Sequence, residues 1–318
     1  MTQAASSVTV YGVSIDAQQL ESLQRIGGQH AVRAAWFVGL YLAAALGAWQ
    51  IHATYGPAWW TWVAAAPLYL MGAAALHGIS LFTHEGVHGA LSANAFWNRW
   101  LSIACALPVL QNFSAYKVLH LKHHRHLGQE GDPDHYPNYS RWTWLVFLAN
   151  WLRLIVGYPV YITMIPILGY RQGEPSDRRW IVGEVAALVV LLGLAAAATW
   201  SFGLGGLALH GWLIPMLVIN TMVNIRGMSQ HTLLEDAADP VLGTRSILTN
   251  PVTRFFMCNE NYHLEHHLFP RVPWYNLDRL HGLLHEQLAT RGAPFIRSYW
   301  SFVVEFAVGS WRRSPWGR

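Results

Sequence analysis

Four stretches of this chain, residues 34–51, 59–82, 180–200 and 202–223, are so long and so apolar that they narrow the choice of fold at once. Inside hydrocarbon no water satisfies a backbone N–H or C=O, so only an α-helix or a closed barrel can pass through. About 20 apolar residues is the length of a helix across a bilayer and twice that of a tilted strand. Each stretch is therefore predicted to be a transmembrane helix. A short uncharged turn with Gly56 and Pro57 separates the first two, and a turn with Gly203, Gly205 and Gly206 the last two, which makes two helical hairpins. Composition agrees, because only 12% of the 318 residues are charged, about half the share in a soluble domain. Trp59, Trp60, Trp142, Trp180 and Trp200 stand at the ends of apolar runs, where an amphipathic ring suits the headgroup zone.

Residues 142–170 are also apolar but carry Asn150, Arg153, Pro159 and Pro166, which suits a helix lying in the interface or a broken re-entrant pair. Residues 97–109 are too short for an easy span. With four spans, two of the 21 Lys and Arg residues precede the first span, nine lie between Thr83 and Arg179, and ten follow Val223. All then fall on one side, and the positive-inside rule puts both termini in the cytoplasm, as in a bacterial inner-membrane protein. The net charge of +4 and pI near 9.1 reflect this topology and not nucleic-acid binding, since no dense basic run is interleaved with aromatics. The N-terminal segment is polar, has an amphipathic piece near residues 17–26, and lacks a signal-peptide core. Cys105 and Cys258 form no C-x-x-C pair and read as reduced structural thiols. The expected architecture is an all-α membrane domain over 1–318: an N-terminal segment 1–33, hairpins 34–224, and a cytoplasmic helical cap 225–318.

The 17 histidines are clustered. His84-Glu-Gly-Val-His88 follows the second span directly, and i,i+4 spacing puts both imidazoles on one helix face. His120-Leu-Lys-His123-His124 and His263-Leu-Glu-His266-His267 repeat an i,i+3,i+4 pattern on either side of the second hairpin. If these clusters build one site, residues 142–170 must cross the membrane zero or two times. Neutral imidazole is a strong ligand for iron, copper or zinc, and eight exceed what one tetrahedral ion needs, so a dinuclear centre follows. Glu85, Asp132, Asp134, Glu235, Asp236, Glu260 and Glu265 lie near enough in sequence to orient the rings through their other nitrogen. His126 reads as a surface histidine, His77 as cavity-lining, His210 as an intramembrane polar contact, and His30, His52, His135, His281 and His285 as structural or exposed. Leu277, Leu280, Leu284 and Leu288 recur at helical spacing and predict an amphipathic helix.

This ordered set of boxes resembles the membrane fatty acid desaturase and hydroxylase superfamily. Supporting surroundings are Thr83-His-Glu-Gly-Val-His-Gly-Ala, Gly131-Asp-Pro-Asp134, Tyr262-His-Leu-Glu-His-His-Leu-Phe-Pro270 and Val272-Pro-Trp-Tyr. The resemblance implies two non-haem irons that use O₂ to attack an unactivated C–H bond of a lipid. It also implies a ninth ligand after the last span, which here is His231. In some members an asparagine four residues earlier contacts one iron through water; this chain has Gly227, and Asn224 would serve only if the helix rotated. The His-Pro-Gly-Gly motif of a fused electron carrier is absent, so a separate donor such as a ferredoxin or rubredoxin with its reductase is expected.

Fatty acyl desaturation is the leading reading, from the third box and its Leu-Phe-Pro continuation. A carotenoid ketolase or hydroxylase shares the His-x-x-x-His-Gly start, the Asp-Pro-Asp and the Val-Pro-Trp. Alkane or acyl hydroxylation and olefin-forming decarboxylation are open on the same fold. A metal transporter is the remote reading, because transport sites lie among the spans. The small residues at 43–45 and 73–75 leave either room for an apolar tunnel or close helix packing.

Overall fold

The computed structural model describes residues 7–135, 138, 140–234 and 238–314. The chain opens with an antiparallel hairpin that the sequence reading did not anticipate, β1 (Ser7–Val10) and β2 (Val13–Asp16), turning through Gly12 at φ +72°. Helix α1 (Ala17–Leu23) follows, capped by Asp16 accepting from the Gln19 amide. The hairpin and α1 bury Val13, Ile15, Leu20 and Leu23 against residues near the other end of the chain.

Helices α2 (Gln29–Tyr55) and α3 (Trp59–Val87) form the first hairpin, closed at Gly56, whose φ of +71° suits a residue without Cβ. The small residues serve close packing. A Cβ on Gly72 would touch that of Ala44 at 3.5 Å, and one on Gly211 would meet Ala45 at 3.2 Å, so at these points the helices are in close contact. Next come α4 (Ala95–Ala106), capped by Asn94, and α5 (Phe113–His126), capped by Asn112. Glu184 accepts from the Ser114 amide and hydroxyl, at 3.1 and 2.5 Å, and braces the start of α5.

Residues 142–170 form one unbroken helix, α6 (Thr143–Gln172), and not a re-entrant pair, although Pro159 and Pro166 lie inside it. The ladder opens at Pro159 and is repaired from outside: Tyr158 N–H donates to Asn220 Oδ1 at 2.6 Å, while Leu154 C=O accepts from Asn220 Nδ2 at 2.6 Å and Thr221 Oγ1 at 2.9 Å. The second hairpin is α7 (Pro175–Ser201) followed by α8 (Gly205–Ala208), a π-turn over Leu209–Leu213, and α9 (Ile214–His231). Among the described residues five helical segments, not four, are thus long and apolar enough to cross a membrane: α2, α3, α6, α7 and Gly205–His231. Their outer faces stay apolar, with Leu42, Leu46, Val189 and Leu194 exposed, as lipid contact requires.

The remaining elements are α10 (Pro240–Gly243), β3 (Ser246–Ile247), α11 (Pro251–Phe256), α12 (His263–Leu268), α13 (Trp274–Thr290), β4 (Phe295–Ile296) and α14 (Tyr299–Arg313). The predicted leucine stripe is the buried face of α13. Ser14 and Gln287 exchange two hydrogen bonds of 2.9 and 2.8 Å, which fasten the N-terminal hairpin to α13.

Candidate metal centre

Four elements deliver the histidines to one place. The last turn of α3 brings His84 and His88, α5 brings His120, His123 and His124, α9 ends on His231, and the single-turn α12 carries His263, His266 and His267. Capping contacts fix two of these arrivals. Asn112 and Glu184 set the origin of α5, and Ser246 Oγ accepts from the Leu264 amide as α12 begins.

Ligand atoms of His84, His88, His120, His124 and His266 lie within 4.8 Å of one another, and those of His123, His231 and His267 form a second such group. His263 borders the second, its Nε2 3.1 Å from that of His267 and its ring 5.1 Å from that of His231. Within the groups, His120 Nε2 is 3.0 Å from Nε2 of both His88 and His124, and His123 Nε2 is 3.3 Å from that of His231. The two groups adjoin, since the rings of His124 and His267 stack at 4.1 Å.

Two of the opposite ring nitrogens are hydrogen-bonded to acceptors, and three more lie near one carboxylate without a hydrogen bond. His123 Nδ1 meets Asp132 Oδ1 at 2.9 Å, and His231 Nδ1 meets the Gly243 carbonyl at 2.9 Å. Glu260, fully enclosed, holds Oε1 at 3.4, 3.5 and 3.9 Å from Nδ1 of His84, His263 and His266. An outward Nδ1–H leaves the Nε2 lone pair pointing inward, the tautomer a metal ligand needs. The donor set suits metal for a second reason: Nε2 of His84 and of His266 are buried with no hydrogen-bond partner among the described residues, a costly arrangement unless something else satisfies them. Burial first, and neighbouring imidazoles second, hold His120, His124, His263, His266 and His267 well below the ordinary histidine range. His88 is pushed down to about 3 by burial and Lys117. Burial works against His123 too, but the hydrogen bond to Asp132 outweighs it and raises this ring. Burial pushes Glu260 up to about 8, against the pull of Arg226.

Of the other acidic residues, Glu85 and Glu265 are engaged away from the box histidines. Glu85 accepts from the Trp274 amide and meets His30 Nε2, both at 3.1 Å, tying α3 to α13 and α2. Glu265 is taken by Ser246 Oγ and His281 Nδ1, each at 2.5 Å. Asp134 is 3.8 Å from His123 Nδ1 and largely exposed. Glu235 and Asp236 lie outside the described residues. Asn224 does not stand in for an asparagine near the metal, since Oδ1 accepts from Arg153 and Nδ2 donates to Asn220 O. His77 is buried with Nε2 unpartnered. His52 and His210 share the Tyr69 hydroxyl, at 3.0 and 2.6 Å, in an interhelical contact far from the boxes in sequence. Sequence reasoning missed the Gly243 carbonyl, which has no signature in residue type.

A cavity of about 470 Å³ opens beside the centre, lined by His84, His120, His123, His231 and His263 together with residues of α6 and α9. Apolar helices with two groups of convergent imidazoles at their ends define an integral membrane protein equipped to hold metal. Residues 57–299 match the fatty acid desaturase family. The chain belongs to this family and is an oxidoreductase. Over 290 residues it is 25% identical to the sphingolipid delta(4)-desaturase of Gallus gallus, covering 87% of this chain and 83% of that one. A human sphingolipid delta(4)-desaturase/C4-monooxygenase is 26% identical over 250 residues, 77% of this chain and 74% of the relative. The sn-1 acyl-lipid omega-3 desaturase (ferredoxin) of Synechocystis is 24% identical over 273 residues, 74% and 75% of the two chains.

Proposed function

We propose that this chain is an O₂-dependent lipid desaturase that holds two irons, one by His84, His88, His120, His124 and His266, the other by His123, His231, His263 and His267. The observation that carries the reading is the shared ring orientation: Nε2 atoms gather inward while Asp132, the Gly243 carbonyl and Glu260 stand against Nδ1. Bound iron would supply O₂ activation and the redox capacity to break an unactivated C–H bond. The chain's own residues fix the ligand rings, and Val146, Ile165, Leu168 and Val223 give the cavity apolar wall for a hydrocarbon. Loss of two hydrogens yields an alkene. The relative that combines desaturase with C4-monooxygenase favours a second outcome at the same centre, insertion of one oxygen to give an alcohol. The relative named for ferredoxin supports a separate iron–sulfur donor.

A four-span topology belongs to this reading. The first turns of α6 meet α14, where Phe147 stacks on Phe306 at 5.3 Å and Trp151 donates to Ser310 Oγ at 3.1 Å. Its last turns meet α5, where Lys122 Nζ donates to Gln172 Oε1 at 2.9 Å. Both ends thus touch elements at the level of the histidines, which supports α6 lying along the membrane surface. An odd number of crossings between α5 and His231 would part His123 from His231, whose rings are 4.7 Å apart.

The test is expression in a bacterium supplied with iron, a ferredoxin and its reductase, with mass spectrometry of lipids and carotenoids for loss of two hydrogens or gain of one oxygen. His84→Ala, His120→Ala and His263→Ala are each expected to abolish product while the protein stays in the membrane. Product from all three would exclude a shared centre.

A further inference from the structure

The cavity beside the histidines has more positive charge on its wall than a hydrocarbon tail requires. Arg141, Arg153, Arg226 and Arg313 line it, against Asp132 and Asp134 among the described residues. Asp132 is already engaged by His123 and by the Gly128 and Asp134 amides, and the Asp134 side chain is 64% exposed. Arg153 and Arg226 sit on α6 and α9, helices apolar enough to cross a membrane. On the four-span reading both lie at the level of the histidines, and Arg226 also faces the buried carboxyl of Glu260; a buried guanidinium whose N–H groups are not all paired is costly and calls for an acceptor. Arg153 is fixed by donating Nε to Asn224 Oδ1 at 2.5 Å. Arg226 Nε is buried and has no hydrogen-bond partner among the described residues. Gln111 Nε2 donates to the Tyr161 hydroxyl at 2.9 Å on the same wall. Arg226 precedes His231 by five residues on one helix, roughly 7.5 Å along its axis.

We infer that the cavity takes a lipid with an anionic oxygen head, a carboxylate or a phosphate, held by Arg226 and Arg153, so that the carbon oxidised lies near the head and not deep in the tail. The planar guanidinium fork matches both anions, and one cavity wall bears both the cations and the histidines, which keeps head and reacting carbon close. This assignment rests on the lipid-oxidation reading above and names its substrate class.

The experiment is a calorimetric titration of the full-length protein in detergent with dodecanoate, a dodecanoyl lysophosphatidic acid and methyl dodecanoate. An anionic probe is expected to bind at least about tenfold tighter than the neutral ester, the scale of a charge-assisted contact. Tighter binding of the first or the second identifies carboxylate or phosphate. Arg226→Gln is expected to remove the margin and Arg226→Lys to keep part of it, which separates charge from folding. Equal binding of the ester, an unchanged margin in Arg226→Gln, or complete loss in both variants would overturn the assignment. Anion-selective binding without any oxidised lipid in vivo would sink the oxidation and leave the anion site standing. Oxidation of the ester as readily as of the acid would do the reverse.

Discussion

Consecutive helical residues point 100° apart, and that angle decides how the histidine boxes are shared. His120 and His124, four apart, fall in one group, whereas His123 goes to the other. The third box divides likewise, with His266 in the first group and His267 in the second. The i,i+4 pairs were legible in the sequence; the division was not, because it depends on two approaching helices. The same holds for the carboxylates. Glu85, Glu260 and Glu265 look alike in sequence, yet only Glu260 lies against box histidines, at three Nδ1 atoms. Glu260→Gln is expected to lower metal affinity roughly 10–100-fold, the usual effect of losing a carboxylate behind a ligand. Metal analysis of purified protein after graded chelator treatment measures it, and wild-type retention would remove the orienting role.

At the scale of elements, α6 shows why proline content misled. Two prolines inside an apolar stretch argue for a break, but Asn220 of α9 supplies the donor and the acceptor that the opened turn needs. Nothing near residue 159 in sequence announces this. Asn220→Leu would leave the buried Tyr158 N–H unpaired and weaken the pairing of Leu154 C=O, at a cost of about 1–3 kcal/mol. A lower melting temperature in detergent is the expected outcome, and an unchanged melt would mean that the turn repairs itself. The α5 cap is a similar case, since Glu184 reaches it from α7 of the second hairpin.

At the scale of the whole molecule, the N-terminal hairpin meets α13. Val13, Ile15, Leu20 and Leu23 share one apolar core with Leu277, Leu280, Leu284 and Leu288, so the N-terminal segment is part of the body that carries the third box. Segments joined in one core lie on one side of any membrane. Together with the one-sided basic residues, this leads to an expected outcome: fluorescent reporters at either terminus are active in the cytoplasm, and alkaline phosphatase inserted at Gly56 is active outside it. A C-terminal reporter that works only outside the cytoplasm would overturn the topology.

The sequence by itself determined that the chain is helical and membrane-bound, because apolar runs twice the length of a membrane strand suit only helices in lipid, and it singled out eight histidines through spacing that one helix enforces, while His231 came from the family resemblance. Only the tertiary structure decided which imidazoles gather in one group, which carboxylate stands behind them, and that α6 is continuous. Those outcomes depend on atoms brought together from residues far apart in the chain, and no local periodicity encodes such distances.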